Sequence, residues 1–428
     1  MGGGFHRWRA GLCVISVWRA ALLYGALAAV TSLAANALAQ TAAPSSPALP
    51  ATKPPVSPTP LGVDAPHIAL LLPVDSSTFR RHGEALRDGF LAASKIPDPP
   101  TLLIRVYPVG EDAKQAVAAY KQAADTGARL VIGPLLRAAA AAVAAGDISV
   151  PTLLLNAPDG ALPNKPDLYA ISLQIETEAQ QAAQQAFQEG RRSAYTIVSE
   201  SQLLRRANRA FIEEFVRLGG KHAGEFLFNT SPAEMTRLRQ AVETRAADMA
   251  YLSLTTAQAR SVRTALEPLA LFAPSQAYGG DISPAAVVDL AGIRVFDMPW
   301  LLQRDHPAVM IYPRSAAAGD LDLERLYALG IDAWRIGQAL LARHAEIVLD
   351  GVTGKLTLGR DRQFARELAS ARLGATLPDA PVGPVPAPVT PAPDKPPAIV
   401  KPAPPKPAAD KPAADKPATR KPTATRPY

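Results

Sequence analysis

Apolar residues follow two alternating periods along residues 66–374. Short unbroken apolar runs, each closed by Pro, Gly or a small polar residue, give way to stretches in which apolar residues recur every three or four positions. Ile68 to Leu72 is the first such run, and Pro73, Val74 and Asp75 end it. A short continuous run closed by turn residues predicts a strand buried on both faces, as in a parallel sheet. Asp75, Ser76 and Ser77 then predict a helix start, because short polar side chains accept from free backbone N–H groups. The same pattern predicts strands at 67–72, 102–107, 130–132, 152–155, 169–173, 195–198, 225–228, 249–254 and 269–272.

Between most of these runs the period is helical. Ala179, Ala182, Ala183, Ala186 and Phe187 share one face, as do Phe211, Phe215 and Leu218 ahead of Gly219-Gly220. Leu326, Leu329, Ala333, Ile336 and Leu340 form a stripe on a long helix. Strand–helix alternation implies parallel sheets with right-handed crossovers. So many strands imply two sheets in two lobes, with lobe 1 at about 66–170 and 300–350 and lobe 2 at about 171–299 and 351–374.

The two ends read differently. Residues 1–39 have the form of a cleaved secretory signal: Arg7, Arg9 and Arg19, then an apolar run from Ala20, then Ala37-Leu38-Ala39 as the cleavage site. The lone cysteine, Cys13, lies inside this leader and follows Gly11-Leu12, which argues against a lipid anchor. Residues 40–65 form a Pro/Ala-rich linker. Residues 375–428 are rich in Pro, Lys and Ala and predict a disordered tail, since regular prolines remove donors and fix φ. The formal charge of +7 resides in the leader and this tail. The near-neutral folded part lacks the basic face that nucleic-acid binding needs. The tail's basic character suits at most a contact with peptidoglycan or the envelope surface.

Catalytic and metal motifs are missing from the sequence. His6, His67, His82, His222, His306 and His344 are scattered, and no cysteine would remain after leader cleavage, so zinc and iron–sulfur sites have almost no ligands. Gly354-Lys355 is followed by Leu356 rather than Ser or Thr, which rules out a phosphate loop. No Gly-x-Ser-x-Gly elbow occurs. No cofactor and no enzyme activity are expected. Asn229-Thr230-Ser231 fits a glycosylation sequon by chance. Trp300 and Trp334 sit in apolar, regularly spaced segments and are expected in the core rather than at a binding hot spot.

What remains is positional. In open α/β sheets, ligands bind beyond the carboxyl ends of the strands. Those ends offer Asp75, Ser76, Ser77, Gly133, Pro134, Asn156, Ser199, Glu200 and Thr255 as a candidate inter-lobe cleft. Each could equally be a helix cap, and convergence of several would mark a site. Whether a small ligand occupies it is open.

The stretches Leu130 to Leu135, Gly292 to Trp300 (ending Asp-Met-Pro-Trp), Arg325 to Trp334 and Gly351 to Leu358 resemble the penicillin-binding protein activators of the LppC/LpoA type. The resemblance extends over residues 66–374. It implies a type 1 periplasmic binding-protein fold whose lobes are joined by three crossings, near 169–171, 297–300 and 350–354. It also implies a non-catalytic periplasmic protein that docks on a class A penicillin-binding protein and stimulates crosslinking. Better-known members carry a helical-repeat domain ahead of this one and a lipid anchor. Here a proline-rich linker and a leader without a lipobox stand in those places. The alternative on the same fold is a periplasmic solute receptor of an ABC-type transporter for an amino acid, amide or similar polar ligand. Leu135-Leu136 after Gly133-Pro134, and the lack of an Arg–Asp anchor pair after the early strands, favour docking.

Overall fold

The computed structural model describes residues 65–96, 102–158, 160–279, 288–316 and 319–374. The leader at 1–39, the linker at 40–65 apart from Ala65, and the tail from 375 lie outside the described residues.

The first sheet has the order β2-β1-β3-β4-β5, all parallel. Its strands are β1 (His67–Leu72), β2 (Leu103–Pro108), β3 (Ala128–Ile132), β4 (Thr152–Leu154) and β5 (Leu168–Ala170). Every residue of β1 is buried, as expected of a central strand covered on both faces. Alternation assigns the faces. Ile68, Leu70 and Leu72 pack with Leu86 and Phe90 of α1 (Arg80–Ala93), and Ala69 and Leu71 pack with Ala116 and Tyr120 of α2 (Ala113–Asp125) and Ala140 of α3 (Arg137–Ala145).

The second sheet has the order β14-β10-β9-β8-β6-β7 and is parallel except for β14. Here β6 is Ser193–Val198, β7 Lys221–Leu227, β8 Met249–Ser253, β9 Ala270–Pro274, β10 Arg294–Asp297 and β14 Ala369–Arg372. One face takes α4 (Ile175–Gln188) and α5 (Gln202–Arg217), with Phe211 stacked on Tyr251 at 4.1 Å between ring centroids. The other takes α6 (Pro232–Glu243) and α7 (Thr256–Val262). The sequon residues have a local structural role: Asn229 Oδ1 accepts from Ser231 N, and Ser231 Oγ caps α6 by accepting from Glu234 N.

After β10 come two short helices, α8 (Pro299–Leu302) and α9 (Pro307–Met310), then the long α10 (Leu321–Leu341). A three-stranded antiparallel sheet follows, from β11 (Val348–Gly351), β12 (Gly354–Leu358) and β13 (Phe364–Glu367). Val352, Leu356 and Phe364 belong to the same buried cluster as β1, and the chain enters the second sheet only at β14.

Three particulars depart from the sequence pattern. The amides freed after β1 are taken up by Ser76 Oγ, which accepts from Thr78 N and Phe79 N, so α1 begins only at Arg80, a turn later than the polar triplet suggests. The stripe on α10 understates its burial: Tyr327, Ala328, Ile331, Asp332, Trp334 and Gly337 are buried as well. A helix covered nearly all round is a core helix rather than a surface one. Strands β10 to β14 were not expected from the run pattern.

The contact of α10 with α1 is close enough to exclude a methyl group. A Cβ on Gly330 would lie 2.1 Å from Leu86 O and 2.7 Å from Phe90 N, and one on Gly89 would lie 1.9 Å from Tyr327 O. Gly330→Ala is therefore expected to destabilise the protein. The ~1 kcal/mol gained in helix propensity is outweighed by forcing two backbones apart, an overpacking cost of about 1–3 kcal/mol or more. A fall in the urea midpoint at unchanged slope would show this; an unchanged midpoint would contradict it.

Candidate functional site

The nine positions from the strand ends form two groups. Asp75 and Ser77 are exposed beyond β1, while Ser76 is buried and donates from Oγ to Glu111 Oε1 at 2.7 Å. That bond, with a further one from Thr78, holds the Glu111 pKa below its usual value. Gly133 has a φ of +108°, and a Cβ there would lie 2.3 Å from Leu71 O. Gly133 and Pro134 are both buried, and Asn156 donates from Nδ2 to Leu135 O at 3.1 Å. In the second group, Gln258 joins Ser199 and Thr255: its Nε2 donates to Ser199 Oγ at 3.3 Å and its Oε1 accepts from Thr255 N at 3.1 Å. Glu200 is exposed beside them. No hydrogen bond or ion pair joins the two groups among the described residues. Ser76, Asn156, Ser199 and Thr255 therefore act locally, in caps and turns. Thr255 also lines a cavity of about 500 Å³, together with Thr256, Ser275, Gln276, Asp320 and Arg325.

The structure concentrates its unusual chemistry elsewhere, at the segments that link the two sheets. Asp297 ends β10, is 2% exposed, and meets Arg325 near the start of α10. The guanidinium donates from Nη2 to Asp297 Oδ2 at 2.7 Å and from Nε to the same oxygen at 3.2 Å, while Nη1 reaches Asp322 Oδ1 at 2.8 Å. Burial opposes the Arg325 charge, but the Asp297 carboxylate outweighs it and raises the Arg325 pKa. Close by, buried Glu178 of α4 accepts from Ser275 N at 2.8 Å. Burial, then the Asp297 charge, pushes the Glu178 pKa up to about 7 against the pull of Arg325 and Ser275.

Two further buried ions complete the junction. Asp332 of α10, fully buried, accepts from Val352 N, Thr353 N and Thr353 Oγ1 at 3.1, 2.8 and 2.7 Å. Burial raises its pKa although these donors and Arg335 oppose the rise. Arg366 of β13, also buried, donates to Ser172 O at 2.9 Å and to Thr353 O at 3.0 Å. Trp300 N donates to Val352 O, and Trp300 Nε1 to Glu324 Oε2 at 2.6 Å. The linking segments at Ser172, at Asp297 to Trp300 and at Val352 to Arg366 are thus fastened to each other by buried charge. A bend that parted Asp297 from Arg325 would leave an uncompensated buried ion, at a cost of about 3–5 kcal/mol. The junction therefore favours one relation between the two sheets.

The strand ends of the first sheet are also covered. Trp300, Val309 and Tyr312, from the segment carrying α8 and α9, share one buried cluster with Leu135 and Leu155. Arg314 lies over the Trp300 ring at 4.4 Å, and Tyr327 Oη donates to Pro313 O. Trp300 and Trp334, at 0% and 6% exposure, are core residues as expected.

Glu178, Asp297, Glu324, Arg325, Asp332 and Arg366 were missed as a site from sequence. The available signal was a charge inside an apolar run, as in Leu-Tyr-Ala-Leu-Gly-Ile-Asp-Ala-Trp ending at Trp334. Among the described residues no group of three or more His, Cys, Asp or Glu could hold a metal ion, and no helix is long and apolar enough to cross a membrane.

Two mostly parallel sheets, each flanked by helices and joined by three linking segments, define a two-lobed protein of the type 1 periplasmic binding-protein class. Comparison with known proteins narrows the class. Residues 62–375 match the family described as "LppC putative lipoprotein", and the chain belongs to that family. Among curated relatives, the penicillin-binding protein activator LpoA of Yersinia pestis is 25% identical over 330 residues, covering 64% of this chain and 49% of its own length. That of Pantoea ananatis is 28% identical over 295 residues, covering 58% and 43%. The chain thus spans about half the length of the curated relatives it matches. A solved structure from Chromobacterium violaceum, described as "a putative branched-chain amino acid ABC transporter", is 36% identical with a TM-score of 0.63, covering 72% of this chain and 99% of that one. The C-domain of LpoA from Haemophilus influenzae, described as a regulator of PBP1A, shares the fold at 22% identity and a TM-score of 0.60, covering 72% and 98%.

Proposed function

We propose that this chain is a non-catalytic periplasmic regulator of peptidoglycan synthesis that docks on a class A penicillin-binding protein and raises its crosslinking activity. Membership of the LppC family over 62–375, with relatives that are penicillin-binding protein activators, carries this reading. The charge-fastened junction and the apolar cover over Leu135 and Leu155 support it, because a docking surface gains from a fixed shape while a solute trap needs a moving cleft. In this reading residues 1–39 direct export and are removed, and 40–65 together with 375–428 give the two-lobed unit its reach.

The test is peptide crosslinking by the organism's class A enzyme with and without the exported protein. More crosslinks, together with capture of the enzyme in a pull-down, are expected; the absence of both would overturn the proposal. Deleting 375–428 is expected to weaken that capture.

A second reading, a receptor for an amino acid or similar polar solute, is favoured by the Chromobacterium violaceum relative and by the polar cavity at Thr255, Ser275 and Gln276. It requires a ligand-dependent rise in melting temperature, on the order of 2.7 kcal/mol in stability at a hundredfold excess over Kd. The docking reading expects no such rise from ligands placed in that cavity.

A further inference from the structure

At the edge of the second sheet opposite β14, α5 and β7 enclose a cavity of about 630 Å³. Arg205 and Arg209 stand one turn apart on α5, both exposed and both lining it. Neither makes an ion pair among the described residues, although like charges at that spacing repel. Glu213, a turn further along, and Glu225 of β7 line the same cavity as exposed carboxylates without a cationic partner. Arg209 and Glu213 have the spacing at which helix charges ordinarily pair, yet they stay apart.

A second, independent observation concerns Asn208, which also lines the cavity and is 4% exposed. Its Nδ2 donates to Glu225 Oε2 at 2.7 Å, while its Oδ1 is buried with no partner. Buried acceptors in folded proteins are ordinarily satisfied, so an orphan beside a cavity marks a place for a donor from outside. Ile212 and Leu227 add an apolar wall, and Leu227 is 51% exposed. Finally, β7 is the terminal strand of its sheet among the described residues, and an edge strand is the element to which an extended chain can add.

We propose that this cavity binds short peptides that carry both a free carboxylate and an ammonium group. The paired guanidiniums of Arg205 and Arg209 suit the carboxylate, since guanidinium forks match its geometry. Glu213 and Glu225 suit the ammonium, Asn208 Oδ1 an amide N–H, and Ile212 and Leu227 a small apolar side chain. A cavity with unpaired charges of both signs selects against purely anionic or purely cationic ligands, which would meet repulsion at one end. The site stands on its own geometry; the cell-wall reading bears only on where such peptides come from, either free in the periplasm or as the peptide stems of peptidoglycan.

The test is titration of the full-length protein with dialanine, followed by calorimetry or ligand-observed NMR. Saturable binding in roughly the millimolar range is expected for so small a ligand. In the Arg205→Gln/Arg209→Gln double variant it should weaken by about tenfold or more. Both positions are exposed on a helix, so the variant retains its fold. Dialanine acetylated at its amine and amidated at its carboxylate should not bind. Absence of binding to the wild type, or binding unchanged in the double variant, overturns the proposal. So does binding that survives the double variant but is lost on filling the inter-lobe cavity with Thr256→Trp. Co-sedimentation with purified sacculi, lost in the same double variant, would assign the peptide to the wall; dialanine binding without it would assign the site to free peptides. Crosslinking stimulation is measured separately, so failure of the regulator reading leaves this result interpretable.

Discussion

Replacing Arg325 by methionine is expected to cost about 3–5 kcal/mol of stability at neutral pH, the largest single-residue effect at the junction. The guanidinium is nearly buried and donates to Asp297 at 2.7 and 3.2 Å, and Asp297 is itself 2% exposed. Methionine fills much of the volume but leaves the Asp297 carboxylate, among the described residues, with Met298 N as its remaining donor. Glu178 loses the cation that restrains its own pKa. Glu178 then favours its protonated form still more, so the loss should be smaller at pH 5 than at pH 8. Denaturant unfolding of Arg325→Met, Asp297→Asn and the double variant, at both pH values, checks this. The double variant should recover part of the loss, because removing both partners leaves no orphaned ion. Equal losses at the two pH values would show that Glu178 does not sense Arg325, and additive single losses would show that the Asp297–Arg325 pair is not the source. Since Asp297 closes β10 and Arg325 opens α10, the same change should loosen the relation between the two sheets. In the regulator reading it should lower partner capture beyond what the stability loss explains.

Glu178 provides the second large effect, and its sign is opposite to that of a salt-bridged carboxylate. Its pKa in the folded protein is raised to about 7 from an ordinary value of 4.5. Below pH 4.5 the group is protonated in both folded and unfolded chains and contributes no difference. As pH rises from 4.5 to 7 the unfolded chain releases its proton while the folded one keeps it, so stability falls across that window. That rise corresponds to a loss on the order of 3 kcal/mol, complete above pH 7. Glu178→Gln keeps an acceptor for Ser275 N and removes the titration. The variant is therefore expected to be the more stable protein at pH 8 and to converge with the wild type near pH 4. A wild-type-minus-variant difference that is flat with pH would refute the assignment.

Several elements were legible in the residues because they depend on local pattern. The run from His67 to Leu72 is a strand with those very bounds, and the runs at 152–155, 195–198 and 249–254 match β4, β6 and β8 within two residues at either end. A central parallel strand needs apolar residues on both faces, and that need is written into consecutive positions. The alanine face of α4 and the Phe211–Phe215 face of α5 were legible for the corresponding reason at helical period. By contrast, β14 reads Ala-Ser-Ala-Arg, a sequence with little intrinsic strand preference; it is a strand because β10 offers an antiparallel partner. The hairpin strands β11 to β13 are four or five residues long and half exposed, too short for a period to declare itself.

The candidate site divides along the same line. The residues at strand ends were found from sequence because topology alone sends them there, yet the structure employs Ser76, Asn156, Ser199 and Thr255 to satisfy nearby backbone groups. Asp297, Arg325, Asp332, Glu178 and Arg366 lie far apart in the chain, and apart from the apolar run around Asp332 nothing local distinguishes them from surface charges. Their role depends on desolvation, which is a property of what surrounds a residue in space. By itself the sequence determined the α/β class, the strand and helix order of the central elements and the resemblance to a family, since each follows from residue type at fixed spacing. Tertiary structure alone decided that the three linking segments are fastened by buried ions, that Gly89 and Gly330 set the α1–α10 distance, and that Arg205, Arg209, Glu213 and Glu225 share one cavity. Burial, close approach and charge pairing are relations between distant parts of the chain, and they exist only once it has folded.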